Sequence, residues 1–199
     1  MDAAKIRLSQ EETELVMRSG WILTKNAILL KVRRLLENIQ TIQQPLLSVL
    51  PSEVRTTSAK ISKGENYKGL PYLVLDQPRY FNREDVFAVR TLFWWGHFFS
   101  TTLHLAGHYK NRYAATLAGA YESLAKNNFY LCINADPWEH HFDTDNYISL
   151  QEITAKRFEE VIRSHSFIKL SGKISLDQWD DAEEVLPGMT KQLLKMLAV

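Results

Sequence analysis

A single cysteine, Cys132, stands in the apolar run FYLCIN, so the chain can form no internal disulfide and no cysteine-based zinc cluster. It reads as a core residue. No apolar run approaches the roughly 18–20 residues needed to span a bilayer. The opening residues, MDAAKIRLSQEETELV, are polar and acidic where a signal peptide needs a basic start and an apolar core. The expected setting is a soluble protein in a reducing cytoplasm. An excess of either charge is also missing: 24 Lys and Arg stand against 23 Asp and Glu, for a formal net charge of +1. Nucleic acids and acidic membrane surfaces are held by basic fields, so neither is an expected partner. Gly-rich phosphate loops are absent too. Gly64 and Gly69 flank ENYK, with neither a G-K-[ST] ending nor a G-x-G-x-x-G pattern. No cofactor is therefore expected. No serine sits in a G-x-S-x-G elbow, and there is neither an internal repeat nor a low-complexity segment.

What the chain has in quantity is one aromatic and β-branched stretch, VFAVRTLFWWGHFFSTTLHLAG, from Val86 to Gly107. Folded as a hairpin turning at Trp95-Gly96, it would alternate its side chains between two faces. The first face carries Val86, Ala88, Arg90, Leu92 and Trp94 opposite His97, Phe99, Thr101, Leu103 and Leu105. The second carries Phe87, Val89, Thr91 and Phe93 opposite Phe98, Ser100, Thr102 and His104. Neither face is polar enough to meet water, so both should be covered by helices, by a ligand or by a partner.

Helical signals bracket this stretch. Ser9-Gln10-Glu11-Glu12 has the capping-box form that opens a helix. Trp21 to Val49 carries apolar residues at helical spacing until Pro45 and Pro51 interfere. From Ser58 the period shifts to strands at residues 59–62 and 70–76, with KGENYKG between them as a hairpin loop. Pro71 marks the start of the second strand or an edge. Further on, Ala114 to Lys126 has one small-residue helical face. Phe129 to Asn134 and Trp138 to Phe142 form a second hairpin, and Phe167 to Leu170 a last strand. Capping boxes at Ser149-Leu150-Gln151-Glu152 and Ser175-Leu176-Asp177-Gln178 open two more helices, the last divided by Pro187-Gly188 on its way to Val199. The expectation is an α+β fold in a single domain of residues 1–199. Residues 1–50 would be helical, and residues 57–199 would hold an antiparallel sheet of about six strands together with the remaining helices.

Three groups could carry chemistry. Arg90 falls among apolar residues, and a guanidinium cannot be buried alone, so it needs an internal carboxylate such as Asp76 or Asp85, or else an anionic ligand. With Trp94, Phe99, His97, Arg79 and Tyr72 it would line a site for a small carboxylate or phosphate with an aromatic body. The stretch from Trp138 to Asn146 offers His141 and Asp143 on one strand face as metal ligands. Two ligands make half a site. Asp143, Asp145 and Asn146 imitate a calcium loop, but Ile148 stands where its glycine belongs and Thr154 where its glutamate belongs. No tightly bound metal is expected. Finally, His104 and His108 would be about 13 Å apart on a strand, and no HExxH follows. The residues thus favour a binding protein for a small anionic, aromatic ligand. Two alternatives remain: an interaction or structural protein, such as a homodimer, whose aromatic hairpin is covered by its own helices or by the partner copy, and a metal- or His-dependent enzyme using His140, His141 and Asp143.

Overall fold

The aromatic stretch is a hairpin at the middle of a seven-stranded antiparallel sheet. The computed structural model describes residues 5–197. Its helices are α1 (Gln10–Met17), α2 (Ser19–Gln43), α3 (Ser52–Arg55), α4 (Gly107–Gly119), α5 (Tyr121–Lys126), α6 (Ala155–Ser164) and α7 (Ala182–Lys195). Its strands are β1 (Lys60–Tyr67), β2 (Leu70–Phe81), β3 (Val86–Trp94), β4 (Phe98–Ala106), β5 (Tyr130–Cys132), β6 (Tyr147–Ser149) and β7 (Phe167–Ser175). Short 3₁₀ turns occupy Gln44–Val49 and Leu176–Asp181. The strand order is β1-β2-β3-β4-β7-β5-β6. The α+β class and the long N-terminal helix agree with the sequence, and the sheet has one strand more than expected.

The register of the central hairpin corrects the first reading. Trp94 pairs with Phe98, so the loop is the three residues Trp95, Gly96 and His97, with Gly96 at φ +74°. Three-residue loops with a left-handed glycine are a standard hairpin connection. The extra residue exchanges the faces of β4, because a one-residue slip turns every side chain over. Phe99 therefore pairs with Phe93, and Arg90 with Thr102.

The face that carries Phe87, Val89, Phe93, Phe99, Leu103 and Leu105 is covered by α2, α4 and α7. Leu29, Val32, Leu36 and Ile39 lie along one stripe of α2 and meet Leu73, Leu75, Phe93 and Phe99. Burial of each such side chain contributes about 1.5–3 kcal/mol, and this stripe is what holds the helix down. By contrast, α1 buries no residue, and nothing comparable anchors it among the described residues.

Other boundaries moved for local reasons. β1 runs on to Tyr67 and turns at Lys68-Gly69, both with positive φ, where a longer loop was expected. Gly64 stays in the strand because the Tyr72 ring lies across it; an added Cβ would come within 2.2 Å of that ring. Ser9 does cap α1 through a capping box, and Ser175 caps the 3₁₀ turn before α7 in the same way. Ser149 does not cap a helix: it ends β6, opposite Tyr130, and Thr154 caps α6 instead. α7 continues through Pro187 because Leu186, Thr190, Leu193 and Leu194 are buried on both sides of it, and tertiary packing offsets the missing hydrogen bond. The expected run to Val199 ends outside the described residues. The helix expected from Ala114 begins earlier, at Gly107, where the Asp85 carboxylate accepts from the His108 amide at 2.6 Å. No helix among the described residues is long and apolar enough to cross a membrane.

Candidate binding site

The second face of the sheet is where the polar residues gather. Residues 133–146, part of which was expected to be a strand at Trp138–Phe142, form no strand and instead cross this face as a cover. Tyr67 pins them. Its hydroxyl donates to Glu139 Oε2 at 2.8 Å and accepts from the amides of His140 and His141 at 2.8 and 3.0 Å. Burial first, then the neighbouring Glu139, pushes its pKa up to about 12, so it keeps the proton that it donates.

Beneath this cover, Asp76 faces Arg90 across β2 and β3. Arg90 Nε donates to Asp76 Oδ1 at 2.7 Å and Nη2 to Oδ2 at 3.1 Å, a bidentate pair with only 19% and 8% of the two side chains exposed. Arg90 Nη1 also lies 3.2 Å from His140 Nε2, and the guanidinium sits 5.9 Å from the Trp138 ring. Arg90 thus has its internal carboxylate. Lys169, 2% exposed, makes no ion pair among the described residues; its ammonium donates to the Glu139 carbonyl at 2.6 Å. Burial pulls its pKa down to about 8, with Arg90 acting in the same direction. His104 is packed edge-on between Trp138 and Phe167, with no hydrogen bond among the described residues. Burial lowers it to about 3, aided by Lys169 and Arg90, and His140 is lowered for the same reasons. The rings of both histidines are therefore neutral near pH 7.

Arg90, His104, His140 and Lys169 border one small enclosed cavity of about 10 Å³, room for a single water. Its chemistry is that of a buried polar seam with surplus positive charge. A larger opening lies farther along the same face. There a cleft of about 390 Å³ is lined by Trp94, His97, Phe98 and Phe142, with Lys68, Lys173 and Asp143 at its polar side. The His97 ring stacks on Trp94 at 3.5 Å. Lys173 Nζ stands 4.7 Å from the centre of the Phe142 ring and 5.9 Å from that of Phe98, and partial burial lowers its pKa. Lys68 has one acid in reach among the described residues, Asp143 at 3.8 Å.

The residues expected in one site are accordingly divided. Arg90 belongs to the enclosed cavity, and Trp94 and His97 to the open cleft. Phe99, fully buried under the helices, is on the opposite face because of the hairpin register. Tyr72 packs beside Tyr67 in the cluster around Trp94. Arg79 is exposed and extends over the Phe81 ring. Of the histidines, His140 and His104 do converge, while His141 reaches Glu139, Asp143 and Asp145 instead. The sequence reading missed Lys68, Lys169 and Lys173. Lys169 carried a signal, a lysine in the apolar run FIKL, where alternation places it on a sheet face. Comparison of the chain with protein-family models, with curated proteins and with solved structures finds no match.

Proposed function

We propose that this protein binds a small anionic molecule with a planar apolar body, and that the cleft between Trp94 and Lys173 is the place. The observation that carries this reading is the pairing of two amines, one of them without an ion pair among the described residues, with an aromatic floor in a cavity of ordinary ligand size. The rings would cover the body of the ligand, and Lys173 and Lys68 would meet its charge. Clefts of about 530 and 710 Å³ open elsewhere on the surface. The first is bordered by Asp180, Glu183 and Glu184, which repel anions, and the second offers a single ring, Tyr113, already covered by Arg112, where the cleft beside Lys173 has several.

The test is a thermal-shift series with phenyl phosphate, indole-3-acetate and 4-hydroxybenzoate, each beside a neutral isostere. A ligand selective for the folded state raises the Tm by mass action. The expected result is a shift for the anions that is lost in Lys173→Met, whose side chain is exposed in wild type and whose change should not unfold the protein. Equal shifts from neutral isosteres, or a shift that survives Lys173→Met together with Lys68→Met, would sink the reading.

A second reading, association of two copies of this chain, is favoured by the N-terminal helices. Val16, Met17, Trp21 and Leu23 are 58–78% exposed. Beside this apolar surface α1 carries Glu11, Glu12 and Glu14, and α2 carries Lys25, Lys31, Arg33 and Arg34. The acidic helix of one copy complements the basic helix of another. Sedimentation equilibrium of wild type and of Trp21→Glu with Leu23→Glu distinguishes them: a monomeric wild type rules this reading out.

A further inference from the structure

We infer that His141, Asp143 and Asp145 form a binding site for one divalent transition-metal ion of the zinc or manganese type. The inference does not depend on the ligand reading, although Asp143 borders both sites.

The sequence places an acid or a histidine at every second residue from 139 to 145: Glu139, His141, Asp143, Asp145. An extended chain would string these out along one side. Here the chain turns back, because the amides of Asn146 and Tyr147 both donate to the Asp143 carbonyl, at 2.9 and 3.0 Å. That turn brings Asp145 toward His141 and supplies the third ligand that spacing along a strand could not. One ligand atom from each of the three residues lies within 4.8 Å of the others. His141 Nδ1 is 3.0 Å from Asp143 Oδ2 and 3.8 Å from Asp145 Oδ1. Bonds of about 2.0–2.2 Å to a tetrahedral zinc separate its ligand atoms by about 3.3–3.6 Å. The two observed distances straddle that range, so small side-chain rotations close the site.

A second observation, independent of the acids, comes from the ring itself. His141 is 4% exposed and held from both sides, its amide donating to Tyr67 and its carbonyl accepting from the Asn146 side chain. The backbone amide of Asp143 donates to Nδ1 at 3.3 Å. The ring, buried and fixed in place, thus sets Nδ1 beside the Asp143 and Asp145 carboxylates, 3.0 and 3.8 Å away, where one cation reaches all three side chains. The opposite nitrogen, Nε2, has the Glu139 carboxylate 3.3 Å away, the arrangement by which an outer carboxylate orients a metal-binding imidazole. One imidazole and two carboxylates suit zinc or manganese better than calcium, which takes oxygen ligands alone. The only competing cation in an ion pair with these acids among the described residues is Lys68, at 3.8 Å from Asp143, and a metal ion would displace it. Three protein ligands leave a position for water or for an anion.

The experiment is equilibrium dialysis of the metal-stripped, tag-free chain against Zn²⁺ and against Mn²⁺, with bound metal measured by mass spectrometry. One equivalent is expected for wild type. Asp145→Asn, at a side chain 75% exposed, leaves the fold intact and should weaken binding at least tenfold. Glu139→Gln should weaken it by about tenfold or more, as loss of an outer carboxylate does. Failure of wild type to bind one equivalent, or equal affinity in Asp145→Asn and Asp143→Asn, overturns the site. Tighter binding of Ca²⁺ than of Mn²⁺ overturns the metal class.

Discussion

Replacing Arg90 with methionine keeps most of the side-chain stem and removes the charge, and it leaves Asp76 beneath residues 133–146 without its partner. The Asp76 carboxylate has no other hydrogen bond among the described residues, and its side chain is 8% exposed. Breaking a buried ion pair from one side costs about 3–5 kcal/mol, because the remaining charge is stranded. An exposed pair is worth only about 0.2–1 kcal/mol. With 19% of the arginine side chain still exposed, the lower end of the buried range is expected. Against a total stability of about 5–15 kcal/mol for a domain, that is a large shift in a urea midpoint. Adding Asp76→Leu should recover most of it, since apolar replacement of both members of such a pair is often neutral or stabilising. The assay is urea unfolding at pH 7, followed by circular dichroism and tryptophan fluorescence, for wild type, both single variants and the double. If Arg90→Met lies within 1 kcal/mol of wild type, or if the double variant is no better than Arg90→Met, the pair is not the buried clamp described above.

Two further outcomes follow from the other face and from the histidines. Phe99→Ala should cost about 3–5 kcal/mol, as truncation of a buried aromatic does; a near-neutral result in the same melts would mean that the three-residue loop is wrong and Phe99 is not under the helices. Acid should destabilise the protein before its carboxylates titrate. The folded His104 takes its proton near pH 3 and the unfolded one near pH 6.5, so between these values the unfolded chain binds more protons. Stability is then fully present above pH 6.5 and falls as the pH drops toward 3, by roughly 4–5 kcal/mol if His104 acts alone. His104→Phe should flatten this loss between pH 6.5 and 4, and an unchanged pH profile of the wild-type and variant stabilities would show that His104 meets solvent.

Much of the local structure was legible because it depends on neighbours in sequence. The Ser9 and Ser175 caps, the stripe on α2 and the strand alternation in Val86–Gly107 each follow from spacing along a few turns or pleats. The hairpin register was a near miss with large consequences. A two-residue and a three-residue loop differ by one residue around Gly96, yet that residue decides whether Phe99 or Phe98 shares a face with Arg90. The Ser149 cap failed because its residue was claimed by pairing with Tyr130, and the break at Pro187 failed because burial against α2 outweighed the proline.

The candidate sites were less legible still. From the residues alone came the α+β class, the buried aromatic hairpin, and the requirement that Arg90 find a carboxylate or an anion, because these rest on periodicity and on the cost of burying charge. That Asp76 meets this need, that Lys173 and Trp94 border one cleft, and that Asp145 folds back on His141 were decided by tertiary structure. Each joins side chains through strand pairing, long-range packing or a turn, and composition and spacing place no two such groups within 4 Å of each other.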